Sequence, residues 1–174
     1  MTTRLLDITS SRLARSLAFL ALIAAAAPCR ACWAPPKEQV IGVDEQLMLA
    51  TQVVVAKVIG KKTTDDGTEN EFLVQKWVAG SGRDFFTVSG SDHDDQDSSF
   101  HHHEDQAFWR HGGGKLFNDT DCEIHPSFIL GASYLAFVGQ PFNRRSFEKL
   151  DIVDGQIDAR DMWLQYVERK LGKP

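Results

Sequence analysis

The sequence feature that most constrains the fold lies at the N-terminus, because it decides how much of the chain is left to fold. Residues 17–27 read LAFLALIAAAA, eleven apolar residues without a charge, and they follow a basic segment, residues 1–15, with three arginines and one acid. A run this short does not span a bilayer as a mature helix, which needs about 20 residues. A basic start, a short apolar centre and a small-residue exit predict a secretory signal peptide.

Two cleavage sites fit the exit from this run. A cut after Ala31 places Cys29 and Ala31 at the two positions where the peptidase requires small side chains. A cut after Ala26 leaves both neighbouring cysteines in the product. We favour the first site, so residues 1–31 form the signal peptide and residues 32–174 the mature chain. We therefore expect an exported protein, periplasmic or secreted, with a single domain.

The cysteine count agrees with the cut after Ala31. The chain contains Cys29, Cys32 and Cys122, and an odd count leaves one thiol unpaired in an oxidising compartment. Removing Cys29 with the signal peptide leaves two cysteines, which predict one disulfide between Cys32 and Cys122. That bridge would close a loop of about 90 residues and contribute roughly 4 kcal/mol. The alternative, a redox-active C-x-x-C pair, requires a helix to start there, and the WAPP sequence that follows disfavours one.

Export also changes the charge balance. The mature chain keeps 15 basic and 23 acidic residues, a formal charge of −8. An acidic surface opposes binding to nucleic acids and to anionic membranes, because both require a basic footprint. No second apolar run reaches the length of a membrane span. We therefore expect no nucleic-acid partner, and no membrane span once the signal peptide is removed.

Short apolar segments separated by polar turns organise the mature chain. Residues 43–51 predict a short helix that leads into a strand. Five segments rich in β-branched and aromatic residues predict strands at 52–59, 71–78, 85–88, 134–138 and 147–153. Alternation within the second strand places Phe72, Val74 and Lys76 on one face and Leu73, Gln75 and Trp77 on the other. A long polar insertion, residues 89–120, separates the third strand from the fourth.

Residues 158–171 predict a C-terminal α-helix with an aromatic face. Asp158 is expected to cap its start and Gly172 to end it. Five strands, a long insertion and a terminal helix predict a mainly β fold, a small five-stranded OB-type barrel with a C-terminal helix. An open α+β sheet is the alternative.

Several segments, in this order, carry a resemblance to a known family. A mature N-terminal cysteine is followed by A-x-x-V-V-V-A-K-V at 50–58, F-L-V-x-x-W-V-A-G at 72–80 and C-x-x-x-P-x-F-x-x-G-x-x-Y-L-A-F at 122–137. This order resembles the netrin-like and tissue-inhibitor-of-metalloproteinase (TIMP-like) domains, in particular their compact bacterial relatives, over about residues 32–140. The resemblance implies an OB-type barrel in which Cys32 is bridged to Cys122.

The same resemblance implies a binding device at the mature N-terminus. The α-amine and carbonyl of Cys32 would chelate the catalytic zinc of a metalloprotease, and the side chain of Trp33 would enter the specificity pocket of that enzyme. An α-amine has a pKa near 7.7, so a useful fraction is neutral and able to bind metal. The chain departs from the animal inhibitors because it lacks their second cysteine and because Trp33 is bulky.

The long insertion holds a second set of candidate ligands. Residues 91–105, SDHDDQDSSFHHHED, contain six acids and four histidines without a basic residue. His93, His101, His103 and His111 are candidate ligands for a divalent metal such as zinc, and the acidic surroundings should raise the pKa values of the histidines. The alternative interpretation is a solvated acidic loop without a metal.

Catalytic motifs are absent from the sequence, which contains no G-x-S-x-G, no H-E-x-x-H and no phosphate-binding glycine loop at a strand–helix junction. We therefore predict a protein that is not an enzyme and requires no cofactor. The favoured function is a disulfide-linked binding module that contacts another envelope or secreted protein. The alternatives are inhibition of a metalloprotease through Cys32 and binding of a divalent metal by the histidine-rich insertion.

Overall fold

The computed structural model describes residues 35–65, 67–91, 103, 107 and 122–172. The chain divides into two units, Met1–Ala31 and Cys32–Pro174, and all the described residues belong to the second. The predicted signal peptide lies outside the described residues, as do Cys32 and Trp33. Cleavage after Ala31 therefore stays a prediction.

The fold is mainly β, as the sequence predicts. A 3₁₀ turn (Lys37–Gln39) and helix α1 (Val43–Leu49) precede an antiparallel sheet of five strands. The strands are β1 (Gln52–Thr64), β2 (Gly67–Ala79), β3 (Phe85–Gly90), β4 (Ser133–Val138) and β5 (Phe147–Leu150). A small hairpin of β6 (Ile152–Val153) and β7 (Gln156–Ile157) follows, and helix α2 (Met162–Leu171) ends the described chain.

The five strands lie in the order β3-β2-β1-β4-β5. Over the described residues the sheet does not close on itself, since β3 and β5 are its two edges. The mainly β class and the C-terminal helix are therefore confirmed, whereas closure into an OB-type barrel remains a prediction.

Strand β1 lies at the centre of the sheet and is buried on both faces. Val53 and Val55 pack on the face that α1 and α2 cover, whereas Val54, Ala56 and Val58 pack on the opposite face. In a strand that is covered on both faces, both alternating sets of side chains are apolar. The unbroken apolar run VVVA in the sequence is the consequence.

Two register shifts alter the faces predicted for β2. Val74 pairs with Ala56 and Lys76 pairs with Val55, which leaves Gln75 as an extra residue in the ladder. A bulge of this kind reverses the alternation beyond it. Trp77 therefore packs on the same face as Val74, and the predicted separation of these two side chains is wrong.

Aromatic rings fill the face of the sheet opposite the helices. Phe72 stacks on Phe86 with ring centroids 5.0 Å apart, and it meets the edge of Phe128 at 4.9 Å. Phe128 in turn contacts Phe147 at 5.0 Å, across the width of the sheet. Each such pair contributes about 0.5–1.5 kcal/mol beyond the area that it buries. The rings hold β2 and β5 to the same core although the two strands are not neighbours.

The C-terminal helix begins later than its sequence predicts. Its N-cap is Asp161, whose side chain accepts a hydrogen bond from the backbone N–H of Leu164. Asp158, the predicted cap, instead accepts hydrogen bonds from the backbone and side chain of Arg160 in the preceding turn. Gly172 ends the helix as predicted. The predicted fifth strand is also shorter, because it ends at Leu150 and the chain then enters the β6–β7 hairpin.

Candidate functional site

The predicted site residues divide into two groups. The first group lies outside the described residues and consists of Cys32, Trp33, His93, His101 and His111. The second group, Cys122 and His103, is described. The zinc-chelating N-terminus and a metal site shared by the four histidines therefore remain predictions.

Cys122 lies ahead of β4 and is disulfide-bonded, to a partner outside the described residues. Its backbone has a positive φ of 69°. The side-chain amide of Gln39 donates a hydrogen bond of 2.7 Å to the carbonyl oxygen of Cys122. The 3₁₀ turn that contains Gln39 therefore lies close to Cys122.

His103 is buried, although the sequence around it is polar and acidic. Its side chain is 9% exposed, and its Nδ1 donates a hydrogen bond to the carboxylate of Asp161. Its Nε2 lies 3.6 Å from Oε2 of Glu148. The interpretation as a solvated loop does not hold for His103, because its imidazole is enclosed between two carboxylates from distant parts of the chain.

Two more side chains complete what we call the buried charge cluster: His103, Arg145, Glu148 and Asp161. Arg145 is 1% exposed and Glu148 is fully buried. The guanidinium carbon of Arg145 lies 5.8 Å from the ring centroid of Trp163, and the Trp163 indole acts to lower the pKa of the Glu148 carboxyl. With two cationic and two anionic side chains, the cluster balances its charge in the interior.

Burial and mutual charge shift the pKa values of the cluster. Burial raises the pKa of Glu148 to about 7, against the opposing effect of the His103 and Arg145 charges. Burial alone lowers the pKa of His103, but the hydrogen bond to Asp161 and the carboxylates of Glu148, Asp161 and Asp151 together raise it above its usual value. Burial lowers the pKa of Arg145.

The geometry of the cluster indicates a structural role for His103. Both ring nitrogens of His103 face carboxylates, so neither is directed at a substrate. Within the described ranges, no three His, Cys, Asp or Glu side chains are grouped as metal ligands. The cluster connects β5, the start of α2 and the insertion after β3. His103 is thus an anchor for the insertion within the described structure.

Sequence analysis did not identify Arg145 and Glu148. In the segment FEKL, alternation suggests that Phe147 is buried and that Glu148 faces solvent. Glu148 is buried because helix α2 covers that face of β5, and Trp163 from the helix reaches its carboxylate. No local signal separates Arg145 and Glu148 from exposed charged residues, because their burial depends on contacts with helix α2.

A recess on the surface lies beside the edge strand β3. We call it the aromatic groove, and its volume is about 350 Å³. Four aromatic side chains form its walls: Trp77, Phe85, Phe86 and Phe142. Gln52, Arg83, Thr87, Val88 and Val138 also line it, together with Gly82 and Gly139. Sequence analysis did not indicate this groove, because its walls come from β2, β3, the end of β4 and the segment that follows β4.

A second recess, of about 630 Å³, lies between β2 and helix α2. Lys76 and Glu168 line it and form an exposed ion pair at 2.8 Å. Exposed pairs contribute little to binding or stability. This recess therefore offers fewer specific contacts than the aromatic groove.

No protein-family model matches the chain, and no curated protein and no solved structure matches it significantly. The helices found in the described part of the chain are too short or too polar to cross a membrane.

Proposed function

We propose that the chain is an exported, disulfide-linked binding module of the OB type that contacts another envelope or secreted protein and catalyses no reaction. The observation that carries this proposal is the aromatic groove. Binding sites are typically recesses of about 300–1,000 Å³ lined by apolar and aromatic side chains with a few polar groups. The aromatic groove has this size and lining.

The strand order supports the OB-type assignment. The order β3-β2-β1-β4-β5 is that of a five-stranded antiparallel Greek-key barrel that stays open between β3 and β5, and the OB fold is a partly open barrel of this kind. Strand β1 would belong to both halves of that barrel, and its three register shifts provide the bending that such a position requires. The aromatic core opposite the helices would then form the barrel interior.

The bonds of Cys122 support export and the disulfide. A disulfide persists in oxidising compartments, and only Cys29 and Cys32 remain in the chain as partners for Cys122. The hydrogen bond from Gln39, seven residues after Cys32, holds the 3₁₀ turn close to Cys122, which favours the bridge to Cys32.

Two measurements test this function. Mass spectrometry of the exported chain should show an N-terminus at Cys32 and a mass two hydrogen atoms below that of the reduced form. The immobilised mature chain should then retain a protein from the envelope fraction or medium of its source, and the identified, purified protein should bind in a 1:1 titration. If no purified candidate binds, the binding-module function is wrong.

Inhibition of a metalloprotease is a second candidate function, and the disulfide of Cys122 is the observation that favours it. A bridge to Cys32 would hold the amine and carbonyl of that residue rigid, as zinc chelation requires. The test compares the mature chain with one that carries an extra N-terminal alanine. Inhibition of a zinc protease panel by the first chain and not by the second supports the candidate. If the two chains inhibit equally, or if neither inhibits, this candidate function is rejected.

A further inference from the structure

The outer edge of β3 lacks the features that usually protect an edge strand. Among the strands of the described sheet, β3 pairs with β2 alone, and the residue that follows it, Ser91, hydrogen-bonds to the carbonyl oxygen of Pro126. Its sequence, FFTVSG, contains no charge and no proline. The other edge, β5, is only four residues long and contains Glu148 and Lys149. Proteins usually shield edges with charges, prolines or short strands, so an uncharged edge of six residues is suited to pair with another strand.

The aromatic groove runs along this same edge. Four consecutive residues of β3, from Phe85 to Val88, line it, and Phe142 and Val138 form the facing wall. Phe85 is 49% exposed, so its ring is accessible to a partner at the rim of the recess. Main-chain hydrogen-bonding groups and an apolar recess therefore lie side by side.

The charge of the groove restricts its occupant. Of the described residues that line it, only Arg83 carries a charge. Arg83 lies at the start of β3 and is exposed. In a chain with an excess of acidic residues, a groove with one guanidinium and no carboxylate favours an apolar segment with an acidic group at one end.

We propose that the aromatic groove binds an extended segment of a partner protein, which adds as a strand to the outer edge of β3, an edge with which no described strand other than β2 pairs. An apolar side chain of that segment occupies the recess between Phe85 and Phe142, and a carboxylate pairs with Arg83. Strand addition of this kind takes affinity from main-chain hydrogen bonds and specificity from pockets beside the edge. The proposal rests on the binding-module function and identifies the surface that performs it.

The test uses a random-peptide library displayed on phage and selected against the mature chain. Enriched peptides should alternate apolar and polar residues and carry an acid near one end. Phe85→Lys should weaken their binding about tenfold or more, because a charge enters the recess and blocks the edge. Ile152→Lys is the matched control, since Ile152 is 47% exposed on a hairpin whose residues do not line the groove, and it should change affinity less than about twofold.

Charge reversal tests the contact of Arg83. Arg83→Glu should lower the affinity for the acidic peptides. It should raise the affinity for the same peptides with lysine in place of the acid. Lys37→Glu, at an exposed position on the 3₁₀ turn, should leave the preference unchanged. In hydrogen exchange, the bound peptide should slow exchange of amides in residues 85–88.

Several outcomes would overturn the proposal. In one, selection against the wild-type chain enriches no peptide that selection against Phe85→Lys does not also enrich. The insertion of this chain would then be the occupant of the groove. Another is a concentration-dependent dimer that Phe85→Lys abolishes, which would make a second copy the occupant. If a purified partner binds wild-type and Phe85→Lys chains equally, the groove assignment fails and the binding-module function stands. If the wild-type chain binds no partner at all, that function fails as well.

Discussion

The Nδ1 atom of His103 donates a hydrogen bond to the carboxylate of Asp161, a residue 58 positions further along the chain. The same carboxylate caps helix α2, because its other oxygen accepts a hydrogen bond of 2.7 Å from the backbone N–H of Leu164. One aspartate therefore fixes both the start of the helix and the insertion that follows β3. With Glu148 on the opposite side of the imidazole, this arrangement gives three predictions.

The first prediction is that His103→Ala destabilises the fold. Removing the imidazole leaves Glu148 and Asp161 buried with less compensating charge, and breaking a buried charge pair typically costs about 3–5 kcal/mol. We expect a loss near the lower end of that range, about 3 kcal/mol, because Glu148 can take up a proton. Urea denaturation at pH 7 measures the change in the free energy of unfolding.

His125→Ala is the matched control, since His125 is exposed, and it should change the free energy of unfolding by less than about 0.5 kcal/mol. Limited proteolysis gives a second measurement. Cleavage within residues 92–121 should accelerate in His103→Ala and not in His125→Ala. Equal stability and equal cleavage of the two variants would show that His103 does not anchor the insertion.

The second prediction separates the two aspartates before helix α2. Asp161→Ala removes the cap and the partner of His103, so it should cost about 1 kcal/mol for the cap and more for the lost charge. Asp161→Ser keeps a capping oxygen without the charge and should recover about 1 kcal/mol of that loss. Asp158→Ala should be nearly neutral, because the carboxylate of Asp158 hydrogen-bonds to Arg160, whose side chain lies at the surface.

Thermal unfolding followed by circular dichroism ranks these variants. The expected order of stability is Asp158→Ala, then Asp161→Ser, then Asp161→Ala. If Asp158→Ala lost more stability than Asp161→Ala, the N-cap of α2 would be Asp158, as the sequence pattern predicts.

The third prediction concerns pH. Burial raises the pKa of Glu148 to about 7 from a usual value of 4.5. A raised carboxyl pKa means that the protonated form stabilises the fold, so this stability is fully present below about pH 4.5 and is lost as the pH rises through 7. The raised pKa of His103 acts in the same direction, and Arg145, Asp161 and Asp151 are the other charged groups that act on these two residues.

Glu148→Gln tests this dependence, because glutamine imitates the neutral acid at all pH values. Relative to the variant, the wild-type chain should lose up to about 3 kcal/mol of unfolding free energy between pH 5 and pH 8.5. Glu38→Gln, at an exposed position, should follow the wild-type curve. Urea denaturation across this range gives both comparisons. A difference between wild type and Glu148→Gln that does not change with pH would contradict the titration of Glu148.

Local patterns predicted the elements of this fold because each depends on neighbours in sequence. The β-branched run of β1 indicated a buried strand, and Gly172 marked the end of α2. The face of Trp77 could not be predicted in this way, because the bulge at Gln75 depends on the register between β1 and β2. Register is a property of two strands, and a single segment does not encode it.

The candidate site was less predictable for the same physical reason. A raised pKa was expected for the histidines of the insertion, and for His103 the direction is confirmed. Among the described residues, however, the side chains that raise this pKa are Asp161, Glu148 and Asp151, which lie 45 or more positions away in sequence. The aromatic groove likewise combines residues from β2, β3 and the end of β4. Both features depend on tertiary contacts that no local spacing displays.

The last prediction concerns the end of β3, which must hold its position if its outer edge is to present the aromatic groove. Gly90 is buried against the segment before β4, where the backbone N–H of Ser91 donates a hydrogen bond of 3.0 Å to the carbonyl oxygen of Pro126. A Cβ atom at Gly90 would overlap that same carbonyl oxygen, which is backbone and has little freedom to move. Gly90→Ala should therefore cost about 2–3 kcal/mol through overpacking. At Gly42 a Cβ atom meets nothing within 4 Å, so Gly42→Ala should cost about 1 kcal/mol or less, as the loss of a glycine N-cap. Urea denaturation of both variants measures the difference, and equal losses would mean that β3 does not end against Pro126.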